Sequence, residues 1–233
     1  MTSPEMAADL VARAQVVLLD FDGPICAVFA GYRAHEVAAQ ILKHAANAGI
    51  VLRPADPDDP ISVFKATTGM DPEAIAAVQD ALVAEESKAL SQTAPHPGIP
   101  DLIGQLRAAG HRLVVVTNNG ADPVSEFIEH HDLAHDLEAV VGRDPHRPEL
   151  LKPAPESITR GLVLLGVPAE AAVFVGDSIT DVLAGHAAGV PVIGYANKPG
   201  KDQRLRGAGA DAIITAMGEL VPARRLCLGS GDG

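Results

Sequence analysis

The segment 16–24, with the sequence VVLLDFDGP, constrains the fold more than any other part of the chain. Four apolar residues lead directly into two aspartates two positions apart, and a Gly-Pro pair follows at once. A continuous apolar run bounded by turn residues is typical of a strand buried on both faces of a parallel sheet. The two acids then lie at the carboxyl end of that strand, where open α/β sheets bind their ligands.

The acidic pair, Asp20 and Asp22, predicts a charged site. Side chains alternate across a strand, so both acids leave on the same side if the extended backbone continues. Two carboxylates that face one pocket repel each other and need a cation, a shared proton or both. Gly23 permits the tight turn that would hold them there. An isolated D-x-D-G can also be an ordinary turn, and the remainder of the chain decides between the two interpretations.

The composition limits the class of protein and of partner. A length of 233 residues suits one α/β domain with a sizeable insertion, or two small domains. The hydrophobic content of 47% is enough for a packed core, and the aromatic content of 3% means that Ala, Val, Leu and Ile must build it. The net charge of −12 argues against nucleic acid or an anionic membrane as a partner. An anionic substrate must therefore be attracted locally, by a metal ion or a few placed cations.

The cysteines and the N-terminus predict where the protein works. Cys26 and Cys227 lie far apart in the sequence and predict neither a disulfide framework nor a zinc site. Residues 1–14 lack a basic start followed by an apolar block, so we expect no secretion signal. No apolar segment has the length of a membrane span. We therefore expect a soluble, cytoplasmic protein, for which the sequence predicts no particular oligomeric state.

The segment 25–92 differs in texture from the rest of the chain. Residues 34–48 and 72–90 are rich in alanine and carry apolar residues at helical spacing. The Pro- and Asp-rich residues 53–60 between them are predicted to form a loop. Because no stretch of this segment has the pattern of a strand, we predict a helical insert that ends at the Pro-Gly hinge of residues 94–98.

Strands and helices alternate after the insert, which predicts parallel strands joined by helical crossovers. The predicted strands after the first are residues 113–117, 139–142, 172–176, 191–194 and 212–215, and the predicted helices outside the insert are residues 4–14, 100–109, 123–130, 154–165 and 181–188. The fold class is therefore α/β, a doubly wound parallel sheet with a small α-helical cap. The predicted domains are a core of residues 1–24 and 93–233 and a cap of residues 25–92.

Polar residues follow further apolar stretches, as the acids follow the first. They are Thr117 and Asn118, Lys152, and Asp177 with Asp181. Because the carboxyl ends of parallel strands meet at one edge of a sheet, we expect these residues to converge with the acidic pair. Oxygens of Asp20 and Asp177 and a main-chain carbonyl near Asp22 suit a hard cation such as magnesium. Lys152 and the Thr117 hydroxyl suit the charge of a phosphoryl group.

Taken in this order, the motifs resemble the haloacid dehalogenase superfamily, specifically its phosphatases of the phosphoglycolate phosphatase and β-phosphoglucomutase type, with a helical cap between the first and second motifs. The motifs are Asp20-Phe21-Asp22-Gly23, Thr117-Asn118, Lys152-Pro153, and Gly176-Asp177-Ser178 with Asp181. The resemblance implies magnesium-dependent hydrolysis of a small phosphorylated metabolite, a phosphate monoester, through an aspartyl-phosphate.

The resemblance also implies a role for each matched residue. Asp20 is the nucleophile and Asp22 the general acid and base, Thr117, Asn118 and Lys152 bind the phosphoryl group, and the Mg²⁺ set is Asp20, Asp22, Asp177 and Asp181, the last as ligand or as support. Pro24 departs from the family pattern, in which Thr or Val is common at this position. A proline there removes an N–H donor and stiffens the turn.

Other functions use parts of the same pattern. A sugar-phosphate mutase has the same acidic pair but protects the aspartyl-phosphate from water. A phosphate-sensing binding module would keep the motifs without turnover. A 2-haloacid dehalogenase is disfavoured, because that relative has no second acid at the position of Asp22.

The remaining polar residues carry weaker expectations. Tyr32, Arg33, Lys65 and Thr67 of the insert are expected at the surface, and Cys26 is expected to pack in the core. Asn197 and Lys198 follow a predicted strand. The sequence leaves open whether their side chains reach the pocket.

Overall fold

A parallel sheet forms the centre of the computed structural model, which describes residues 3–221. Within that part of the chain the strands are β1 (Val16–Leu19), β2 (Arg112–Val116), β3 (Ala139–Val141), β4 (Ala172–Gly176), β5 (Val192–Tyr195) and β6 (Ala212–Ile214). They lie in the order β3-β2-β1-β4-β5-β6, and every pairing is parallel. The doubly wound α/β fold is thereby confirmed. Cys227 lies outside the described residues.

Helices follow most of the strands and form the insert. They are α1 (Ser3–Arg13), α2 (Ala34–Asn47), α3 (Pro60–Lys65), α4 (Pro72–Leu90), α5 (Ile99–Ala108), α6 (Ala121–His130), α7 (Glu156–Leu165), α8 (Ile179–Ala187) and α9 (Lys201–Gly207). Each predicted helix and strand occurs, with ends within about two residues of the prediction, the usual scatter of helix ends.

Two short helices, α3 and α9, are absent from the prediction. The loop predicted for residues 53–60 ends where α3 begins, because Asp59 caps the helix by accepting hydrogen bonds from the N–H groups of Ile61 and Ser62. Pro60 occupies the first helical position. An Asp-Pro pair at a helix start is a recognised signal, but a helix of six residues is too short to show apolar periodicity.

The central strand explains how the sheet is covered. All residues of β1 are buried, with β2 and β4 paired on its two sides. Because side chains alternate, Val17 and Leu19 join an apolar cluster with α1, α5 and α6, whereas Val16 and Leu18 join a cluster with α7 and α8 on the other face. A strand buried on both faces is what the continuous apolar run predicts.

The insert has an apolar cluster of its own. Its buried members include Val37 and Ile41 of α2, Phe64 of α3 and Leu82 of α4, and Leu151 is the one buried member outside residues 25–92 among the described residues. This packing is compatible with the division into a core and a cap, which stays a prediction. In the described part of the chain, no helix combines the length and the apolar character needed to cross a bilayer.

The close approach of α8 to β5 predicts an effect on stability. A Cβ atom at Gly185 would overlap the side chain of Val192. Overpacking a tight interface typically costs about 1–3 kcal/mol, so Gly185→Ala should lower the free energy of unfolding by that amount in urea denaturation.

The matched control for this substitution is Gly104→Ala in α5, where nothing lies within 4 Å of the added atom. That variant should gain about 0.5–1 kcal/mol, since glycine weakens a helix interior. Equal stability of the two variants would contradict the tight packing of α8.

Candidate active site

The polar residues that follow the strands line one cavity. It has a volume of about 570 Å³ and lies at the carboxyl edge of β1, β2 and β4. All seven residues that the motifs single out are in its wall: Asp20, Asp22, Thr117, Asn118, Lys152, Asp177 and Asp181. The parallel sheet brings these residues together because it places the polar ends of separate strands at the same edge.

A buried lysine joins two of the acids. Lys152 Nζ donates a hydrogen bond to Asp20 Oδ1 at 2.7 Å and lies 2.6 Å from Asp181 Oδ1. All three residues are buried. Removing one member of such a buried cluster leaves an uncompensated charge, which typically costs about 3–5 kcal/mol. The cluster is therefore stable only when all three charged residues are present.

The pKa values in this cluster depend on each other. Burial and the negative charge of Asp181 raise the pKa of Asp20, and the attraction of Lys152 acts against that rise. Burial alone would lower the pKa of Lys152, but its attraction to Asp181 and Asp20 outweighs burial and raises the pKa. Lys152 therefore stays charged at neutral pH and supplies a fixed positive charge inside the cavity.

Asp22 has a different environment from Asp20. Its carboxylate accepts a hydrogen bond from the N–H of Val28 at 3.0 Å. Burial raises the pKa of Asp22, the Val28 hydrogen bond lowers it, and the charge of Asp177 raises it further, with a net rise. A half-buried acid of raised pKa keeps its proton to a higher pH than an exposed aspartate, which is the property of a general acid.

The turn after β1 accepts only glycine at its tightest point. Gly23 has φ +106°, and a Cβ atom there would overlap the carboxylate of Asp177. The N–H of Gly23 donates to the carbonyl of Cys26 at 2.7 Å, which closes the turn. Cys26 is buried, as expected, and burial raises the pKa of its thiol.

Three carboxylates approach closely enough to bind one cation. Asp20, Asp177 and Asp181 each offer an oxygen, and these atoms lie within 4.8 Å of one another. Carboxylate oxygens are the ligands that hard divalent cations prefer. The side chain of Asp22 is not among this group. The residues present therefore fit a magnesium-like ion.

Asp181 also forms hydrogen bonds to the loop that carries Asp177. These bonds favour a role in holding that loop over direct binding of the cation. Its Oδ2 atom accepts hydrogen bonds from the N–H groups of Asp177 and Ser178 at 3.1 and 3.0 Å and from Ser178 Oγ at 2.7 Å. These bonds shape the loop between β4 and α8, with Ser178 as the N-cap of α8. Asp20 and Asp177 are then the side chains best placed to hold a cation.

The loop after β2 is tied to Lys152. Asn118 Oδ1 accepts a hydrogen bond from the N–H of Lys152 at 2.9 Å. Thr117 Oγ1 donates to Asn119 Oδ1 and accepts from the N–H of Asn119, both at 3.1 Å. The sequence pointed to Thr117 and Asn118 but missed Asn119, which is buried.

A second lysine reaches the acids without having been predicted. The Lys201 ammonium contacts the carboxylate of Asp177 and donates to Asn197 Oδ1 at 2.9 Å, and Asn197 Nδ2 donates to Asp177 at 3.1 Å. Asn197 is therefore at the site, and Lys198 lines an adjoining cavity of about 320 Å³ beside Asp22. Lys201 was missed because α9, on which it lies, was not predicted.

The insert forms the wall opposite the strand ends. Lining residues from this side include Phe29, Asp58, Asp59, Ile61, Ser62 and Lys65. Lys65 is exposed, as expected, yet also faces the cavity. Tyr32 is half-buried and Arg33 is exposed. The surface position expected for Thr67 is wrong: Thr67 is fully buried, and its hydroxyl donates to the carbonyl of Phe64 at 2.7 Å.

Comparison with known proteins finds one family. A family model described as haloacid dehalogenase-like hydrolase matches residues 59–195, more than half of the chain. A phosphoglycolate phosphatase of Rhodospirillum rubrum is 40% identical over 114 residues, which are 47% of this chain and 46% of that protein. The phosphoglycolate phosphatase of Salmonella typhimurium is 33% identical over 141 residues, 60% of this chain and 53% of that protein. The chain thus matches about half the length of these curated relatives.

Solved structures share the fold. The structure of a predicted phosphatase from Clostridium acetobutylicum superposes with a TM-score of 0.69 at 22% identity, covering 89% of this chain and 96% of that one. The structure of a haloacid dehalogenase-like protein from Streptococcus pneumoniae gives a TM-score of 0.65 at 18% identity, covering 89% and 97%. At this identity the likeness supports the fold alone.

The contact between Lys201 and Asp177 predicts an effect on cation binding. A nearby ammonium repels a divalent cation and competes for the carboxylate. Lys201→Met should therefore bind magnesium about tenfold more tightly, a gain of about 1.4 kcal/mol, in titration calorimetry of the substrate-free protein. The control is Lys43→Met, which removes an exposed lysine of α2. Unchanged or weaker magnesium binding by Lys201→Met would contradict this prediction.

Proposed function

This chain belongs to the haloacid dehalogenase-like hydrolase family, and we propose that it is a phosphatase of that family. In this proposal it hydrolyses a small phosphate monoester through an aspartyl-phosphate on Asp20, with magnesium as cofactor. The observation that carries the proposal is the buried cluster of Asp20, Lys152 and Asp181 beside Asp177, in the wall of a cavity of about 570 Å³.

Binding of the substrate requires positive charge and hydrogen-bond donors against the phosphoryl oxygens. Lys152 supplies a buried ammonium, and the hydroxyl of Thr117 lies in the same wall. Asp20 and Asp177 are the side chains that would hold magnesium, which when bound supplies further charge neutralisation for the phosphoryl group. Placed charges in a cavity of low dielectric are a large source of rate acceleration.

Asp20 and Asp22 then have different roles in the reaction. An oxygen of Asp20 attacks the phosphorus, the bond between phosphorus and the ester oxygen breaks, and Asp22 gives its proton to the leaving alkoxide. In the second step Asp22, now ionised, takes a proton from water as that water attacks the aspartyl-phosphate. The bond between phosphorus and Asp20 breaks, which releases inorganic phosphate and restores both residues. The raised pKa of Asp22 suits a group that must donate and then accept.

The insert determines which leaving group fits. We propose that residues 25–92 act as a cap over the core of residues 1–24 and 93–233, with hinges at residues 23–31 and 92–98. Closure would exclude water from the first step. Residues of the cap wall such as Asp58, Ile61 and Lys65 would contact the leaving group.

Substrate and setting follow from the relatives and the charge. Because the curated relatives of Rhodospirillum rubrum and Salmonella typhimurium are named phosphoglycolate phosphatase, 2-phosphoglycolate is the first compound to assay. We also propose a cytoplasmic location. The net charge of −12 argues against nucleic acid or an anionic membrane as a partner.

The proposal predicts how substitutions of the acids change turnover. Asp20→Asn removes the nucleophile and should lower kcat by a factor on the order of a thousand or more. Asp22→Asn removes proton transfer and should lower kcat by about a hundredfold or more. The measurement is release of inorganic phosphate from an aryl phosphate and from a panel of metabolite phosphates, with magnesium and with chelator.

The matched control is Asp80→Asn, which alters an exposed aspartate on α4 and should leave turnover unchanged. Full activity of Asp20→Asn, or full activity in chelator, would refute the mechanism. Phosphoryl transfer between sugar hydroxyls with little free phosphate would identify a mutase. Phosphate binding without any turnover would identify a sensor.

A further inference from the structure

A buried ion pair joins the insert to the segment that follows β3. Arg143, two residues after β3, places Nη1 2.7 Å from Glu86 Oε1 on α4. Both side chains are fully buried, and neither lines the cavity. Buried ion pairs are costly to form and often add little stability. A role besides stability is therefore expected for this pair.

Glu86 holds the loop after β2 at several points. Its Oε1 atom accepts a second hydrogen bond from Asn119 Nδ2 at 2.9 Å, and its Oε2 atom accepts one from the N–H of Gly120 at 3.1 Å. One carboxylate on α4 thus binds the loop backbone, a loop side chain and Arg143. The position of α4 is thereby transmitted to residues 119 and 120.

Asn119 passes this orientation to Thr117. An ionised carboxylate only accepts hydrogen bonds, so Asn119 must turn its NH₂ group toward Glu86 and its carbonyl oxygen toward Thr117. Asn119 Oδ1 lies 3.1 Å from Thr117 Oγ1, and with an oxygen facing it the Thr117 hydroxyl is the donor. The direction of the Thr117 hydroxyl is therefore set by Glu86, with which Thr117 has no hydrogen bond.

Arg143 completes the connection between the two sides. Its Nη1 atom also donates to the carbonyl of Asn118 at 3.2 Å, and its backbone N–H donates to the carbonyl of Asn119 at 3.0 Å. Its Nε atom donates to Gln79 Oε1 on α4 at 2.6 Å, and its guanidinium lies 5.3 Å from the centre of the Phe64 ring on α3. Arg143 thus contacts the insert and the loop at the same time.

We propose that Arg143 and Glu86 form a positioning pair, which acts through Asn119 to fix the Thr117 side chain beside the phosphoryl site. The hydroxyl has one hydrogen, which Asn119 accepts in the substrate-free site and which turns to the phosphoryl oxygen when substrate binds. The position of Thr117 then depends on where α4 packs against the loop. This inference rests on the proposed function, in which Thr117 binds the phosphoryl group.

The test is a double-mutant cycle. Glu86→Gln keeps the shape of the side chain but cannot accept all three hydrogen bonds, so kcat/KM for the best phosphate monoester should fall about tenfold. In a Thr117→Val background the same substitution should cause no further loss, because the group it positions is gone. Independent losses that multiply would show that Glu86 acts independently of Thr117 and would overturn the proposal.

A second variant covers the case in which Glu86→Gln does not fold. Asn119→Ala leaves the ion pair intact and removes only the connection to Thr117, so it should show the same loss and the same coupling. The control is Glu138→Gln, which breaks the ion pair with Arg112 at the opposite end of β2. That variant should retain wild-type kcat/KM, and an equal loss of activity there would count against a specific role for Glu86.

A binding measurement separates this inference from the proposed function. The affinity for inorganic phosphate, measured by calorimetry, should be lower in Glu86→Gln than in the wild-type protein. The double variant of Glu86→Gln and Thr117→Val should bind phosphate as tightly as Thr117→Val alone. Coupled phosphate binding without turnover would refute the phosphatase and support the positioning pair. Turnover with uncoupled effects would support the phosphatase and refute the pair. A wild-type protein that neither binds phosphate nor turns over would refute both.

Discussion

The site depends on one electrostatic problem and its solution. Three carboxylates approach within 4.8 Å of one another at the edge of the sheet, where like charges repel. Lys152 places its ammonium against two of them, and Lys201 contacts the third. Because the Lys152 cluster is buried, it is stable only when complete. The requirement for positive charge at this place suits the cavity to a divalent cation, and Lys152 with such a cation would offset the negative charge of a phosphoryl group.

The parallel sheet is the means of assembling that cluster. β1, β2 and β4 lie side by side in register, so the residues that follow them meet without long loops. Glycines at two positions allow the acids to lie close to the backbone of neighbouring strands and turns. Gly23 leaves room for the carboxylate of Asp177, and a Cβ atom at Gly176 would overlap Asp181. The acids are thus gathered by backbone packing before any cation contributes.

The insert takes part in the site in two distinct ways. Its cavity wall, which includes Asp58 and Lys65, faces the place that a leaving group would occupy. On its long helix α4, the buried side chain of Glu86 contacts the loop that carries Thr117. In the proposed phosphatase, the first contact would bear on which substrate fits and the second on how the phosphoryl group is held. A segment that did both would link the choice of substrate to the geometry of the reaction.

Local patterns in the sequence were sufficient for the strands, for the longer helices and for the acids, but not for the short helices α3 and α9. The run before Asp20 predicted a doubly buried strand, and strand–helix alternation predicted the parallel sheet, because both depend on periodicity and turn residues. Seven site residues could be named since each directly follows a strand or begins a crossover. Lys201, Asn119 and the pair of Glu86 and Arg143 could not. Glu86 and Arg143 are 57 residues apart, lie on different elements and have no local signature. Only the tertiary packing of α4 against the loop after β2 brings them together, because a buried charge finds its partner through the fold and not through the neighbouring sequence.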